Sequence, residues 1–225
     1  MSLSSTGEVA LVPMKILDDI SICEQRAIIR ASIGFKGTPT EQERAGKVWW
    51  TKKREQYRKL ISSVLGAKLG AVWIEHDLSL TYVGSKKIVY LNGLADMVVF
   101  ASIECEDREW KRVGSIPVLV LFEFTTYECI EGVVDRVLAY ASATFNRYGF
   151  PVIPVIIVLR DFEHDIVDKC VIISNANRIG VVPRLQARLS RLEKLLLGEL
   201  KPRHASAELC PFCDIDIRRI CPHRM

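Results

Sequence analysis

Residues 116–127, IPVLVLFEFTTY, form an almost unbroken apolar run that carries a carboxylate, Glu123, near its end. A strand that is apolar at nearly every position needs cover on both faces. The run therefore predicts a central strand in a sheet layered with helices. Its neighbours agree. AVWIEHDLSLTY (71–82) and KIVYLNGLADMVVFAS (87–102) are rich in β-branched and aromatic residues and join near Gly84-Ser85 as a hairpin. Residues 129–149 read as a helix with Val133, Val137, Tyr140 and Ala141 on one face, and PVIPVIIVLRDF (151–162) and KCVIIS (169–174) read as strands. Residues 183–200 place Leu185, Leu189, Leu192 and Leu196 on one helical stripe opposite arginines. Ahead of the strands, 16–33 reads as one helix carrying Cys23. A second helix starts with Thr38 as N-cap, Pro39 at the first position and Glu41 closing a capping box. It runs to about Leu65 and holds Trp49 and Trp50. The order helix-helix-β-β-β-α-β-β-helix predicts an α/β sandwich, a mixed central β-sheet flanked by helices.

The chain has 225 residues, 49% of them hydrophobic, with no internal repeat or low-complexity linker, so a single domain over 1–225 is expected. No apolar run approaches the roughly 20 residues that span a bilayer. The opening MSLSSTGEVALV lacks the basic flank and apolar stretch of a signal peptide. A cytoplasmic protein with no membrane partner is expected, in a compartment that disfavours disulfides. The net charge is only +4, but Lys47, Lys52, Lys53, Arg54, Arg58 and Lys59 crowd one segment. Arg184, Arg188, Arg191, Arg203, Arg218, Arg219 and Arg224 crowd another. Such clusters either neutralise phosphates or line solvated helix faces.

Three of the seven cysteines fall in the last sixteen residues, as Cys210-Pro-Phe-Cys213 and Cys221. A Cys-x-x-Cys pair sets two thiolates at one turn for a soft metal, and Cys221 can add a third. Both structural zinc and iron–sulfur centres favour four ligands, and Cys23 is the candidate fourth. Segments 16–35 and 200–225 would then form one cluster-binding subregion joining the two ends. Zinc is the rival, with His223 completing a Cys-Cys-Cys-His set. Cys105, Cys129 and Cys170 have no partner spacing and read as ordinary buried or loop thiols.

Asp96 and Glu123 sit inside strong strand patterns, where an ionised carboxylate needs a cation, a hydrogen-bond network or a raised pKa. On neighbouring strands they can converge on one Mg²⁺ or Mn²⁺, with the carbonyl of Phe124 as a further ligand. The plainer alternative pairs one of them with an arginine such as Arg136.

Gly93-x-x-Asp96, Glu123-x-Thr125 at a strand end, the helix after it, and three late cysteines with one early cysteine together resemble the RecB-like, PD-(D/E)xK-fold nucleases that carry an iron–sulfur cluster. Within that group the chain is similar to the CRISPR-associated exonuclease of the fourth Cas family, from Cys23 to Cys221. The resemblance implies a restriction-endonuclease-like fold and a Mg²⁺- or Mn²⁺-dependent DNA exonuclease. Its substrate would be single-stranded or frayed DNA ends, processed during CRISPR spacer acquisition beside the CRISPR integrase proteins. A homo-oligomer is also compatible with it. Asp96 and Glu123 match the family's metal-binding acids. Cys23, Cys210, Cys213 and Cys221 match the ligands of a 4Fe–4S cluster, with 2Fe–2S as the alternative. Tyr140 matches the tyrosine of the Gln-x-x-x-Tyr element.

The departures bear on chemistry. Thr125 stands where the family has a lysine that positions the attacking water and screens developing charge. Arg136 takes the glutamine position and is the candidate replacement cation. Gly46-x-x-x-Trp50 replaces Gly-x-x-x-His, and the spacing from Cys213 to Cys221 is longer than usual. The alternative to an active nuclease is a catalytically weakened or inactive DNA-binding adaptor of the integration complex. A zinc-knuckle DNA-binding protein without enzymatic ancestry is a third reading.

Overall fold

The computed structural model describes residues 9–34, 41–65, 69–106, 113–126, 130–160, 166–173, 183–204, 213 and 215–222. The elements are β1 (Val9–Pro13), α1 (Ile16–Ile22), α2 (Glu24–Ser32), α3 (Glu41–Leu65), β2 (Leu69–Val83), β3 (Ile88–Glu106), β4 (Val113–Thr125), α4 (Ile130–Tyr148), β5 (Val152–Leu159), β6 (Val167–Ile172), α5 (Pro183–Leu196) and α6 (Ile215–Ile220). The six strands make one mixed sheet. β2 and β4 run antiparallel to β3, β5 is parallel to β4, β6 is antiparallel to β5, and β1 is parallel to β3. β4, which carries the apolar run as far as Thr125, is central as expected, with β3 on one side and β5 on the other. Among the described residues, no helix is long and apolar enough to cross a membrane.

Two cores cover the sheet. On one face Ile16, Leu17 and Ile20 of α1, Val133, Val137 and Tyr140 of α4, and Leu185, Leu189 and Leu192 of α5 pack on Val89, Leu91, Val98, Leu119 and Leu121. On the other, Trp49 and Trp50 of α3 pack on Met97, Val99 and Phe124. The leucine stripe of α5 thus buries where its spacing placed it. Its arginines are not a free basic face. Arg184 and Arg188 pair with the fully buried Asp135 of α4 at 2.5 and 2.8 Å, and Arg191 pairs with Glu24 of α2.

Three local features depart from expectation. The helix read over 16–33 is broken at Cys23, whose extended backbone (φ −157°, ψ 108°) ends α1 and begins α2. The break serves Asp19, which takes Arg26 at 3.0 Å and Arg30 at 3.1 Å. In one straight helix Arg30 would lie about 16 Å along the axis from Asp19, out of reach. β1 and α6 are too short to leave a periodic signal and were not expected. The Thr38-Pro39 cap lies outside the described residues.

On one flank β3 pairs with β2 from Ile88 to Ala101. Its other flank is shared by two strands: β1 takes Ile88–Asn92 and β4 takes Met97–Glu106. Residues 93–96 face a gap between them. β1 runs toward that gap and turns into α1, and β4 runs toward it from the opposite direction and ends at Thr125. Strand ends, a helix start and unpaired backbone therefore meet at one place.

Gly132 of α4 lets the helix close on α1. A Cβ there would lie 3.2 Å from Asp18 Cα and 3.3 Å from both Asp18 O and Ser21 Cβ. Gly132→Leu should force the two helices apart and destabilise the protein by about 1–3 kcal/mol. Urea unfolding should show the midpoint falling with the slope unchanged; an unaltered midpoint would mean this contact is not tight.

Candidate active site

The gap beside β3 opens into a cleft of about 280 Å³ whose floor carries Asp96, Glu123 and Arg136 and whose rim carries Lys15 and Lys47. Asp96 arrives there through a change of phase in the sheet. Val89, Leu91 and Ala95 point into the first core, but past the gap Val98 does so, while Met97 and Val99 enter the second core. Glu75 on β2, across from this step, has a left-handed backbone (φ 51°), which costs a non-glycine residue of order 1 kcal/mol. Such irregularities re-aim side chains beside functional sites. Beyond Phe122 the β4 backbone no longer pairs with β3 in register, and the Asp96 carboxylate substitutes for it. The Phe124 N–H donates to Asp96 Oδ2 at 2.9 Å.

The acids predicted from sequence are thus brought together. Glu123 is buried, with Oε1 2.9 Å from Arg136 Nη2. The alternative that paired a carboxylate with Arg136 holds for Glu123. Arg136 reaches a second acid as well: its Nη1 lies 3.0 Å from Oδ2 of Asp18 on α1. Asp18 is 3% exposed and was read only as part of a helix. The one available signal was a pair of aspartates set among leucine and isoleucines in the short segment LDDISI. Glu75 also lines the cleft and was likewise missed, and its carboxylate is held by Arg54 at 2.8 Å.

Three carboxylates therefore surround one buried guanidinium. Burial pushes Asp96 up to about 6 against the Phe124 N–H and Arg136, and pushes Asp18 up to about 6 against Arg136. Burial, then the charge of Asp96, holds Glu123 well above the usual carboxylate range. For Arg136 burial opposes the charge, but Asp18 and Glu123 outweigh it and keep the guanidinium protonated. Glu123 Oε2 is buried without a hydrogen-bond partner. That orphan oxygen, beside Asp96 and the Phe124 backbone, is the hard-oxygen donor set a Mg²⁺ or Mn²⁺ takes, and the excess negative charge fits a divalent ion.

Tyr140 is buried in the first core, and burial followed by the Glu123 charge keeps its hydroxyl protonated. Gly93 makes room for it: a Cβ at Gly93 would come within 2.7 Å of the Tyr140 hydroxyl. Thr125 is buried and lines the cleft without supplying charge. Trp50, at the expected histidine position, lines the cleft and packs at a tilt against Phe124 with ring centres 5.0 Å apart. It is an apolar wall and offers no lone pair to a cation.

The cysteine subregion is partly described. Cys23 sits at the α1–α2 break. The returning chain is pinned beside it, with the Arg203 N–H donating to Glu24 Oε2 at 2.9 Å and the Gln25 N–H donating to the Arg203 carbonyl at 3.2 Å. Cys213 and Cys221 flank α6, which packs on α2. Cys210 and His223 lie outside the described residues. Among the described residues, no three His, Cys, Asp or Glu side chains converge as a metal-ligand group. Cys170 is exposed on β6.

No family model and no curated protein matches the chain. Solved structures do resemble it. The protein SSO0001 aligns with a TM-score of 0.52 at 13% identity, covering 99% of this chain and 91% of that one. A protein from Eubacterium rectale named "Putative exonuclease" aligns with a TM-score of 0.52 at 10% identity, covering 95% and 92%. At such identities the likeness is one of fold.

The raised acids set the pH response of the metal-free protein. A folded state that holds protons more tightly than the unfolded chain loses stability as pH rises from about 4 through about 6. Asp96 contributes in that direction, from an ordinary 3.8 to about 6. His76, lowered by burial, contributes with the opposite sign. Comparing wild type with Asp96→Asn cancels the histidine. Between about pH 4 and pH 6 the melting temperature of the variant should gain on that of the wild type. Parallel curves would show that Asp96 is not raised.

Proposed function

We propose that this protein is a divalent-cation-dependent nuclease acting on single-stranded or frayed DNA ends. The observation that carries the reading is the meeting of Asp96 and Glu123 at the cleft floor, with Glu123 Oε2 lacking a protein partner. The fold shared with a protein named as an exonuclease supports it. Asp96, Glu123 and the Phe124 carbonyl would hold the ion. When bound, Mg²⁺ or Mn²⁺ supplies Lewis acidity toward a phosphate oxygen and an acidified water. Lys15 and Lys47 at the rim draw the phosphate backbone in. Arg136 provides the positive charge that Thr125 does not, from the helix rather than from the strand. Trp49 and Trp50 close the far wall to water.

In this proposal Cys23, Cys210, Cys213 and Cys221 hold an iron–sulfur cluster, which staples α2 to the C-terminal segment. The pinning of Arg203 beside Cys23 supports that placement. The resemblance to the CRISPR-associated exonucleases suggests that the ends are those captured for integration and that the integrase proteins are partners. A second reading, a weakened DNA-binding adaptor, is favoured by the missing lysine and by the ion pair between Arg136 and Glu123.

Protein purified anaerobically should contain iron and sulfide rather than zinc, and should trim end-labelled DNA with Mn²⁺. Asp96→Ala should abolish trimming without loss of fold, and Arg136→Gln should slow it about 100–1,000-fold. Thr125→Lys in the Arg136→Gln background should recover part of the rate. Trimming by Asp96→Ala at the wild-type rate would remove the site assignment. Salt-dependent DNA binding with no cleavage by any form would select the adaptor.

A further inference from the structure

Arg136 carries five N–H donors in a flat fork, and its strongest partnership with a carboxylate is two parallel bonds from Nε and one Nη. Here that fork is half made. Nη2 meets Glu123 Oε1 at 2.9 Å, yet Arg136 Nε and Glu123 Oε2 are both buried without hydrogen-bond partners. These are the two atoms that a closed fork would join. On the other edge of the guanidinium stands Asp18, its Oδ2 3.0 Å from Nη1 as an ion pair, with neither carboxylate oxygen in a hydrogen bond. We propose that Asp18 is a positioning residue of this site, whose grip on Arg136 keeps the guanidinium shared between two acids and leaves Glu123 Oε2 for a divalent cation.

The placement of Asp18 is built into the backbone. Gly132 lies one turn before Arg136 on the same face of α4, and it brings that helix to within van der Waals contact of Asp18 Cα. Arg136 therefore has a carboxylate on either side, one from α1 and one from β4. With Asp18 neutral, the guanidinium has a single remaining anchor and closes onto both Glu123 oxygens, competing with the cation. Asp18 also acts on Glu123 directly through its charge, and the Arg136→Gln background separates that route from its hold on the guanidinium. The inference rests on the nuclease reading, and its test separates the two.

The measurement is the dissociation constant of Mn²⁺ for the whole protein, followed by the electron paramagnetic resonance signal of free Mn²⁺, in wild type, Asp18→Asn, Arg136→Gln and the double variant. Melting curves check that each is folded, and Asp18→Ser serves if the asparagine variant does not fold. Asp18→Asn should weaken Mn²⁺ about 10–100-fold, the usual effect of losing a group that orients a ligand. Arg136→Gln should bind at least as tightly as wild type, and adding Asp18→Asn to it should cause no comparable loss. Asp18→Glu should recover most of the affinity. An unchanged constant in Asp18→Asn, or an equal loss in both backgrounds, would overturn the positioning role while leaving the nuclease reading intact. Wild-type protein that binds no Mn²⁺ would sink the nuclease reading and this inference with it.

Discussion

The guanidinium of Arg136 ties three separate parts of the cleft together. It reaches from α4 to Asp18 on α1 and to Glu123 on β4, and it lowers the cost of the Asp96 carboxylate nearby. A buried charge without a partner costs several kcal/mol, so each acid needs the arginine as much as it needs them. The balance is incomplete, because burial still holds Asp18, Asp96 and Glu123 above the usual carboxylate range. Folding stability and affinity for a divalent ion are thus set by the same few atoms.

The sheet makes this arrangement available by leaving one flank of β3 open over four residues. A fully paired strand would have consumed the backbone there and pushed the side chains into the two cores. Instead the ends of β1 and β4 face one another across the opening, and the Phe124 N–H turns to a side chain for its acceptor. The left-handed Glu75 on the opposite strand belongs to the same disturbance. A cleft placed at such an interruption gains backbone donors and carbonyls as well as acids. It also gains walls from both layers, Trp49 and Trp50 from one and α4 from the other.

Much of this was readable from residue pattern. Asp96 and Glu123 stood out because carboxylates are rare in apolar strands, and Arg136 because it takes the glutamine position of the Gln-x-x-x-Tyr element on the next helix. The leucine stripe of α5 named its own buried face. Other parts left no trace. Asp18 looked like one more polar position on a short helix, since periodicity reports that a residue is on a face but not what that face meets. The break at Cys23 depends on Arg26 and Arg30 folding back to Asp19, a contact between segments that a helical pattern cannot announce. The arginines of α5 looked like a surface suited to phosphates, yet Arg184, Arg188 and Arg191 are committed to carboxylates of neighbouring helices.

Local pattern determined five of the six strands, the long helices and the identity of the two strand-borne acids, because hydrophobic period and the cost of a charge among apolar residues are properties of neighbours along the chain. Tertiary structure alone decided which charges meet. The partners of Arg136 come from segments more than a hundred residues and about a dozen residues away in sequence, and only the approach of α4 to α1 at Gly132 and the gap beside β3 bring them within 3.0 Å of its two Nη atoms. Coulombic pairing depends on distance in space, and distance in space is not written in the order of the residues.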